Sequence, residues 1–184
     1  MELFIIIPIA VFGVLFFYVV ATFNTFQTIK IRIEEAWSGI DVQLKRRTDL
    51  IPNLVETVKG YASHEKEVFE NVTKAREALI AAKGPEDSQN ADNMLSAALK
   101  SVFAIAEAYP DLKASQNFMQ LQSELSDTET KIAYSRQFYN TNVREFNTLL
   151  MKFPSNVIGR ILNFSQKSFF EATEEEKQPV KVAF

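Results

Sequence analysis

His64 is the only histidine in the chain, and Glu65 follows it. A His-Glu pair on a helix is half of a zincin site, which needs a second histidine one turn later to complete the ligand pair. Val68 occupies that place. A di-iron carboxylate bundle also draws on two histidines. His64 is therefore read as a surface or helix-packing residue, and no metal ligand is assigned. Asp41, Asp49 and Glu56 recur at near-heptad steps. Paired carboxylates perform acid–base chemistry only where a pocket raises a pKa. On a solvated helix face they are ordinary surface charge, which is the reading taken here. The chain has no Gly-rich phosphate loop and no nucleophile elbow. No catalytic residue, no cofactor and no enzymatic activity is expected.

Lys45, Arg46 and Arg47 form the densest basic run. Neighbours on a helix point about 100° apart, so the three cannot make one patch. Lys45 and Arg46 are read as a solvated face, with contact to anionic lipid as the alternative. Arg47 differs, because it falls on an apolar seam. A buried arginine needs partners, so Arg47 is expected to join a buried polar layer with Asn140, Asn142 or a carboxylate such as Glu129 or Glu145. Such a layer fixes helix register at some cost in stability.

The elements that position these residues follow from periodicity. Ile33, Trp37, Ile40, Leu44, Arg47, Ile51, Leu54, Val58 and Tyr61 are spaced three and four apart, and the count continues through Glu65 to Val68, Val72, Ala75, Leu79 and Ala82. This heptad seam predicts one long helix over 28–83, with a coiled-coil-like face. Pro52 predicts a bend without a break, since the seam keeps phase across it. The stretch 60–64 is the place where the helix would turn back if it does. Residues 84–88 read as a loop, and a second helix follows over 89–108. A third spans 112–152, with Phe118, Leu125, Ile132, Tyr139, Phe146 and Phe153 at heptad steps and Pro154 as its stop.

The run that starts at Leu3 and stops at Phe23 carries no charge. A helix of this length crosses the roughly 30 Å hydrocarbon core. A cleaved signal peptide would want a basic start and a small-x-small site. Only Glu2 precedes the run, and Val19, Val20 and Ala21 make a poor site, so an uncleaved anchor is expected. Lys30, Arg32, Lys45, Arg46 and Arg47 all follow it, and the positive-inside bias places the rest of the chain in the cytoplasm. The fold expected is all-α: an N-terminal transmembrane helix continuing into a long-helix antiparallel bundle of four helices. Residues 1–27 would be anchor and neck, 28–171 the helical-bundle domain, and 172–184 a disordered acidic tail. Val157, Ile158, Ile161, Leu162 and Phe164, with Phe169 and Phe170 behind them, close the base of the bundle. Ile158, Ile161, Leu162, Phe169 and Phe170 are the candidates for contact with a membrane or a neighbouring subunit.

Composition narrows the function classes. Among 184 residues there are no cysteines, and the net charge is -3. No disulfide framework or thiolate metal site is possible. Clustered basic charge of the nucleic-acid-binding kind is absent, so no nucleic-acid partner is expected.

The stretch Ala36-Trp37-Ser38-Gly39-Ile40-Asp41-Val42-Gln43-Leu44-Lys45-Arg46-Arg47, followed by Asp49-Leu50-Ile51-Pro52-Asn53-Leu54-Val55, resembles the signature of the LemA family. Val58-Lys59-Gly60-Tyr61 with His64-Glu65 belongs to the same pattern, as do Tyr109-Pro110-Asp111-Leu112, Tyr139-Asn140, Phe153-Pro154 and Phe169-Phe170. The resemblance covers nearly the whole chain. It implies a single-pass protein of the bacterial cytoplasmic membrane with a helical-bundle domain and no agreed enzymatic activity. A branch of the family serves in magnetosome membranes. Relatives are often encoded beside a membrane-embedded zinc metalloprotease, which hints at partnership. The function expected is a membrane-anchored scaffold or adaptor that acts by self-association as a homo-oligomer and by docking other membrane proteins. A sensor or regulatory partner of a membrane protease or other stress-response enzyme is the alternative.

Overall fold

A computed structural model describes residues 2–171, and among them every regular element is a helix. In chain order these are α1 (Glu2–Lys59), α2 (Lys66–Ala81), α3 (Gly84–Ala108), α4 (Pro110–Lys113), α5 (Gln116–Met151) and α6 (Ser155–Ile161). The acidic tail expected over 172–184 lies outside the described residues. The all-α class is as expected. So is the junction: the apolar N-terminal run passes into the seam-bearing stretch within one helix of 58 residues.

Three boundaries differ from the periodicity reading. The helix expected over 28–83 is two helices, because α1 stops at Lys59 and α2 starts at Lys66. The break falls at the weak point around Gly60, where the Tyr61 and Ala62 amides both donate to the Val58 carbonyl and close the last turn. The change of direction moves the seam: Tyr61 is 45% exposed and Ala62 takes the buried place. In α2 the buried face is Phe69, Val72, Ala75 and Leu79, so Phe69 replaces the expected Val68 as its first core residue. The stretch 84–88, expected as a loop, is the first turn of α3. Pro85 is harmless there because first-turn amides have no intrahelical acceptor, and Glu86 and Asp87 meet the positive end of the helix dipole. Gly84 precedes them at φ 78°, a left-handed conformation that glycine adopts without strain. The third long helix begins at Gln116 and not at 112, with α4 as a separate turn. Phe153, expected on its seam, lies beyond its end and is 82% exposed.

The chain divides into two compact units, and α1 and α5 each contribute to both. One unit comprises Met1–Ala36 and Phe138–Phe169. Phe26 of α1 is its centre. Its ring meets Phe146 of α5 at 5.6 Å and Phe164 at 5.0 Å, and those two meet each other at 5.9 Å. Gly159 of α6 lies close against this cluster. A Cβ there would come 2.6 Å from Leu150 Cδ2 and 3.4 Å from Phe26 Cζ, so the absence of a side chain lets α6 approach. Asn147 pins the segment after α6: its amide nitrogen donates to the Lys167 carbonyl and its oxygen accepts from the Lys167 amide, both at 2.9 Å.

The other unit comprises Trp37–Gln137 together with Phe170 and Glu171. α1 buries Ile40, Leu44, Ile51, Leu54 and Val58 here, α3 buries Ala91, Leu95, Leu99, Val102 and Ala106, and α5 buries Phe118, Leu125 and Ile132. Within each helix these residues recur at steps of three, four or seven and so share one face, as ridge packing between helices requires. Trp37 is half-buried and stacks on Phe170 at 6.0 Å, and the Arg136 guanidinium lies 5.3 Å from the same ring. Gln89 fastens the chain beyond that ring, donating to the Glu171 carbonyl and accepting from its amide.

The revised seam predicts a contrast. Ile40→Ala removes a fully buried side chain and costs about 2–5 kcal/mol of unfolding free energy. Tyr61→Ala stays within about 0.5 kcal/mol, as for an ordinary surface position. Urea titration of the two variants in mild detergent checks both. A large loss for Tyr61→Ala would restore it to the seam.

Candidate functional site

A carboxylate in the core is the most distinctive polar feature. Asp92 of α3 is 2% exposed, and Arg47 of α1 is 3% exposed. Arg47 Nη1 donates to Asp92 Oδ1 at 2.8 Å, and Arg136 Nη2 of α5 donates to Asp92 Oδ2 at 2.8 Å. Arg47 Nη2 also donates to Ser96 Oγ at 3.1 Å. One carboxylate thus joins three helices, each of its oxygens bound to a different guanidinium. Ions taken out of water are tolerated only when paired and hydrogen-bonded in this manner. The Nε groups of Arg47 and Arg136 find no acceptor among the described residues, so the cluster is not fully satisfied.

A second polar contact answers a backbone defect. Pro52 has no N–H, so the Thr48 carbonyl one turn earlier has no intrahelical donor. Arg76 of α2 supplies one, its Nε donating to the Thr48 oxygen at 2.9 Å. α1 continues through Pro52 without a break.

Arg47 is buried, and the carboxylate it pairs with is Asp92, a residue the seam reading did not single out. Asn142 is buried too, but its amide donates to the Phe138 carbonyl of its own helix at 2.8 Å. Asn140 is half-buried. His64, Asp41, Asp49 and Glu56 are all exposed. Asp49 accepts from Lys45 at 3.0 Å. Arg46 pairs across to α5, with Asp127 at 3.5 Å and Glu124 at 3.7 Å. The hydrogen bond from Lys131 holds the Asp127 carboxyl below its usual value, and the charges of Lys131 and Arg46 add to the effect. Burial pushes the Tyr139 phenol above its usual value. Among the described residues, no group of three or more histidines or carboxylates converges as a metal site would need. Of the apolar contact candidates, Ile158 and Phe170 are buried, while Ile161, Leu162 and Phe169 are exposed.

The N-terminal stretch is the other unusual surface. From Phe4 to Ala21 no residue is buried. Phe4, Phe12, Val14 and Phe17 are each more than two-thirds exposed. α1 is long and apolar enough at this end to cross a membrane.

These features define a class: an all-helical protein led by a membrane-length apolar helix, with one buried ion cluster. A sequence model of the LemA family matches residues 36–184, and the chain belongs to that family. It is similar to "Protein LemA" of Metamycoplasma hominis, 28% identical over 181 residues that cover 96% of this chain and 81% of the relative. It is also similar to "Magnetosome protein MamQ" of Magnetospirillum gryphiswaldense and to "Magnetosome protein MamQ 2" of Paramagnetospirillum magneticum. Each of these is 24% identical over 86% of this chain and 68% of the relative.

Two expected outcomes follow from the polar geometry. Asp92→Ala leaves Arg47 buried without a counter-charge and costs about 3–5 kcal/mol, whereas pairing Asp92→Leu with Arg47→Met recovers most of the loss. Urea unfolding measures both, and a loss under about 1 kcal/mol for Asp92→Ala would equate the cluster with a surface ion pair. Arg76→Ala costs about 1–3 kcal/mol by exposing the Thr48 carbonyl to a dry environment. In a Pro52→Ala background the restored N–H takes over, and the cost falls by more than half. A double-mutant cycle with no coupling between the two positions would contradict this pairing.

Proposed function

We propose that the protein is a membrane-anchored, non-catalytic scaffold. The first turns of α1 cross the bilayer once, and the remaining helices stand in the cytoplasm and act by self-association and by docking other membrane proteins. The observation that carries the reading is α1 itself. A stretch of membrane length with no buried residue is continuous, within one helix, with a stretch whose seam is packed. Large apolar side chains left in water are unfavourable, while in hydrocarbon the same exposure is favourable. The basic residues that follow the run favour a cytoplasmic location for what comes after it. The family and the magnetosome relatives are consistent with a membrane protein that has no reaction of its own. The membrane-embedded zinc metalloprotease of the sequence resemblance is one docking partner to test.

Alkaline carbonate washing of membranes tests the anchor. The full chain stays with the lipid pellet, and a chain lacking only residues 4–21, none of which is buried, appears in the supernatant. Release of the full chain by the wash would remove the anchor from the account. For self-association, the mass of the full chain purified in mild detergent is measured by light scattering. Assemblies larger than one copy support the scaffold reading, and a strict monomer opposes its homo-oligomeric form.

A further inference from the structure

The exposed apolar side chains outside the membrane-length run are not scattered evenly. Met151, Phe153, Val157, Ile161 and Phe169 lie in the chain segment that ends α5, forms α6 and follows it, at 71, 82, 47, 73 and 46% exposure. Single exposed apolar residues are normal on any protein, but a cluster of this size marks a contact. Between Glu145 and Glu171 the chain carries Lys152, Arg160 and Lys167, all exposed, and no acidic residue, although the protein as a whole is acidic. α6 therefore combines a bare apolar face with basic charge, the composition of a helix lying in a bilayer surface.

Its place in the unit gives the depth. α6 lies against α1 at Phe26, through Gly159 and through the Phe26–Phe164 ring contact. At about 1.5 Å per residue, the run from Phe4 to Phe23 spans about 30 Å, the thickness of the hydrocarbon core. Phe26 is then about 4.5 Å further along, within the polar interface layer of roughly 5–8 Å that flanks the core on each side.

We infer that α6 and its flanks are a second membrane contact: Phe153, Val157 and Ile161 dip into the bilayer interface while Lys152, Arg160 and Lys167 meet lipid phosphates. The inference rests on the reading of α1 as a membrane anchor and adds a lipid-facing surface to it. The contact of α6 with α1 at Phe26, three residues beyond the apolar run, and the basic charge of the patch favour lipid over a second copy of the chain as the occupant.

Because the chain has no cysteine, single spin labels can be placed without background. Ile161→Cys is the test position, Leu15→Cys the hydrocarbon reference and Ser123→Cys the water reference. All three sites are exposed, so the labels leave the packing intact. The full chain is reconstituted in vesicles of phosphatidylethanolamine and phosphatidylglycerol. Collisions of each label with oxygen and with a water-soluble nickel chelate are compared. The expected result is an oxygen-to-nickel ratio at 161 between the two references and well above that at 123. A lipid-like ratio at 15 with a water-like ratio at 161 would overturn the inference and leave the anchor standing. A water-like ratio at both would overturn the anchor itself. Shielding of 161 from both reagents, with spin–spin broadening that disappears on dilution with unlabelled protein, would assign the patch to a second copy and also overturn the inference.

Discussion

A carboxylate that is 2% exposed persists only where its charge is met on every side that water has left. Asp92 meets this condition by engaging one arginine with each oxygen, and the two arginines come from helices far apart in the chain. Apolar seams can slide by a heptad at modest cost, since a leucine packs against many neighbours. A bidentate bridge cannot slide. If α3 shifted by one turn against α1, a charge would stand unpaired in the core, at a cost of several kcal/mol. The apolar side chains around the cluster supply attraction, and alignments that part Asp92 from its arginines are disfavoured. Arg136 extends the constraint outward, because its guanidinium also lies over Phe170, which in turn stacks on Trp37.

The same logic operates on backbone atoms. Proline inside a helix leaves a carbonyl without its donor, and such a defect normally kinks the helix or lets in water. Here a side chain from a different helix closes the gap, so Thr48, Pro52 and Arg76 work as one unit. Irregular chain is held by the same kind of device. Asn147 and Gln89 each use both ends of a side-chain amide on a single backbone residue, as a neighbouring strand would. Fixing that segment allows Phe170 to be buried while its neighbour Phe169 remains exposed.

The legible part of this structure was the part encoded by spacing. The three-four repeat identified the buried face of α1 from Ile33 to Val58, and the lack of charge identified the membrane-length run. Arg47 was legible as an anomaly, because a guanidinium at a seam position must have partners. Which partners was not legible. Asp92 lies two turns into α3, a helix whose start was hidden by a Gly-Pro pair that usually signals a loop. Read from 89 onward, Asp92 looks like an ordinary first-turn acid. Tyr61 and Phe153 were misplaced for a related reason: periodicity carries a seam past the point where the helix ends, and the end is decided by tertiary contacts. The link between Pro52 and Arg76 had no local sign at all, since it depends on where α2 returns beside α1.

α1 carries two kinds of solvation within one helix of 58 residues. Its two ends obey opposite solvation rules, bare apolar side chains at one and an enclosed ion cluster towards the other. Asp92 and Arg47 are enclosed in the core, while the carboxylates at 41, 49 and 56 lie open to water.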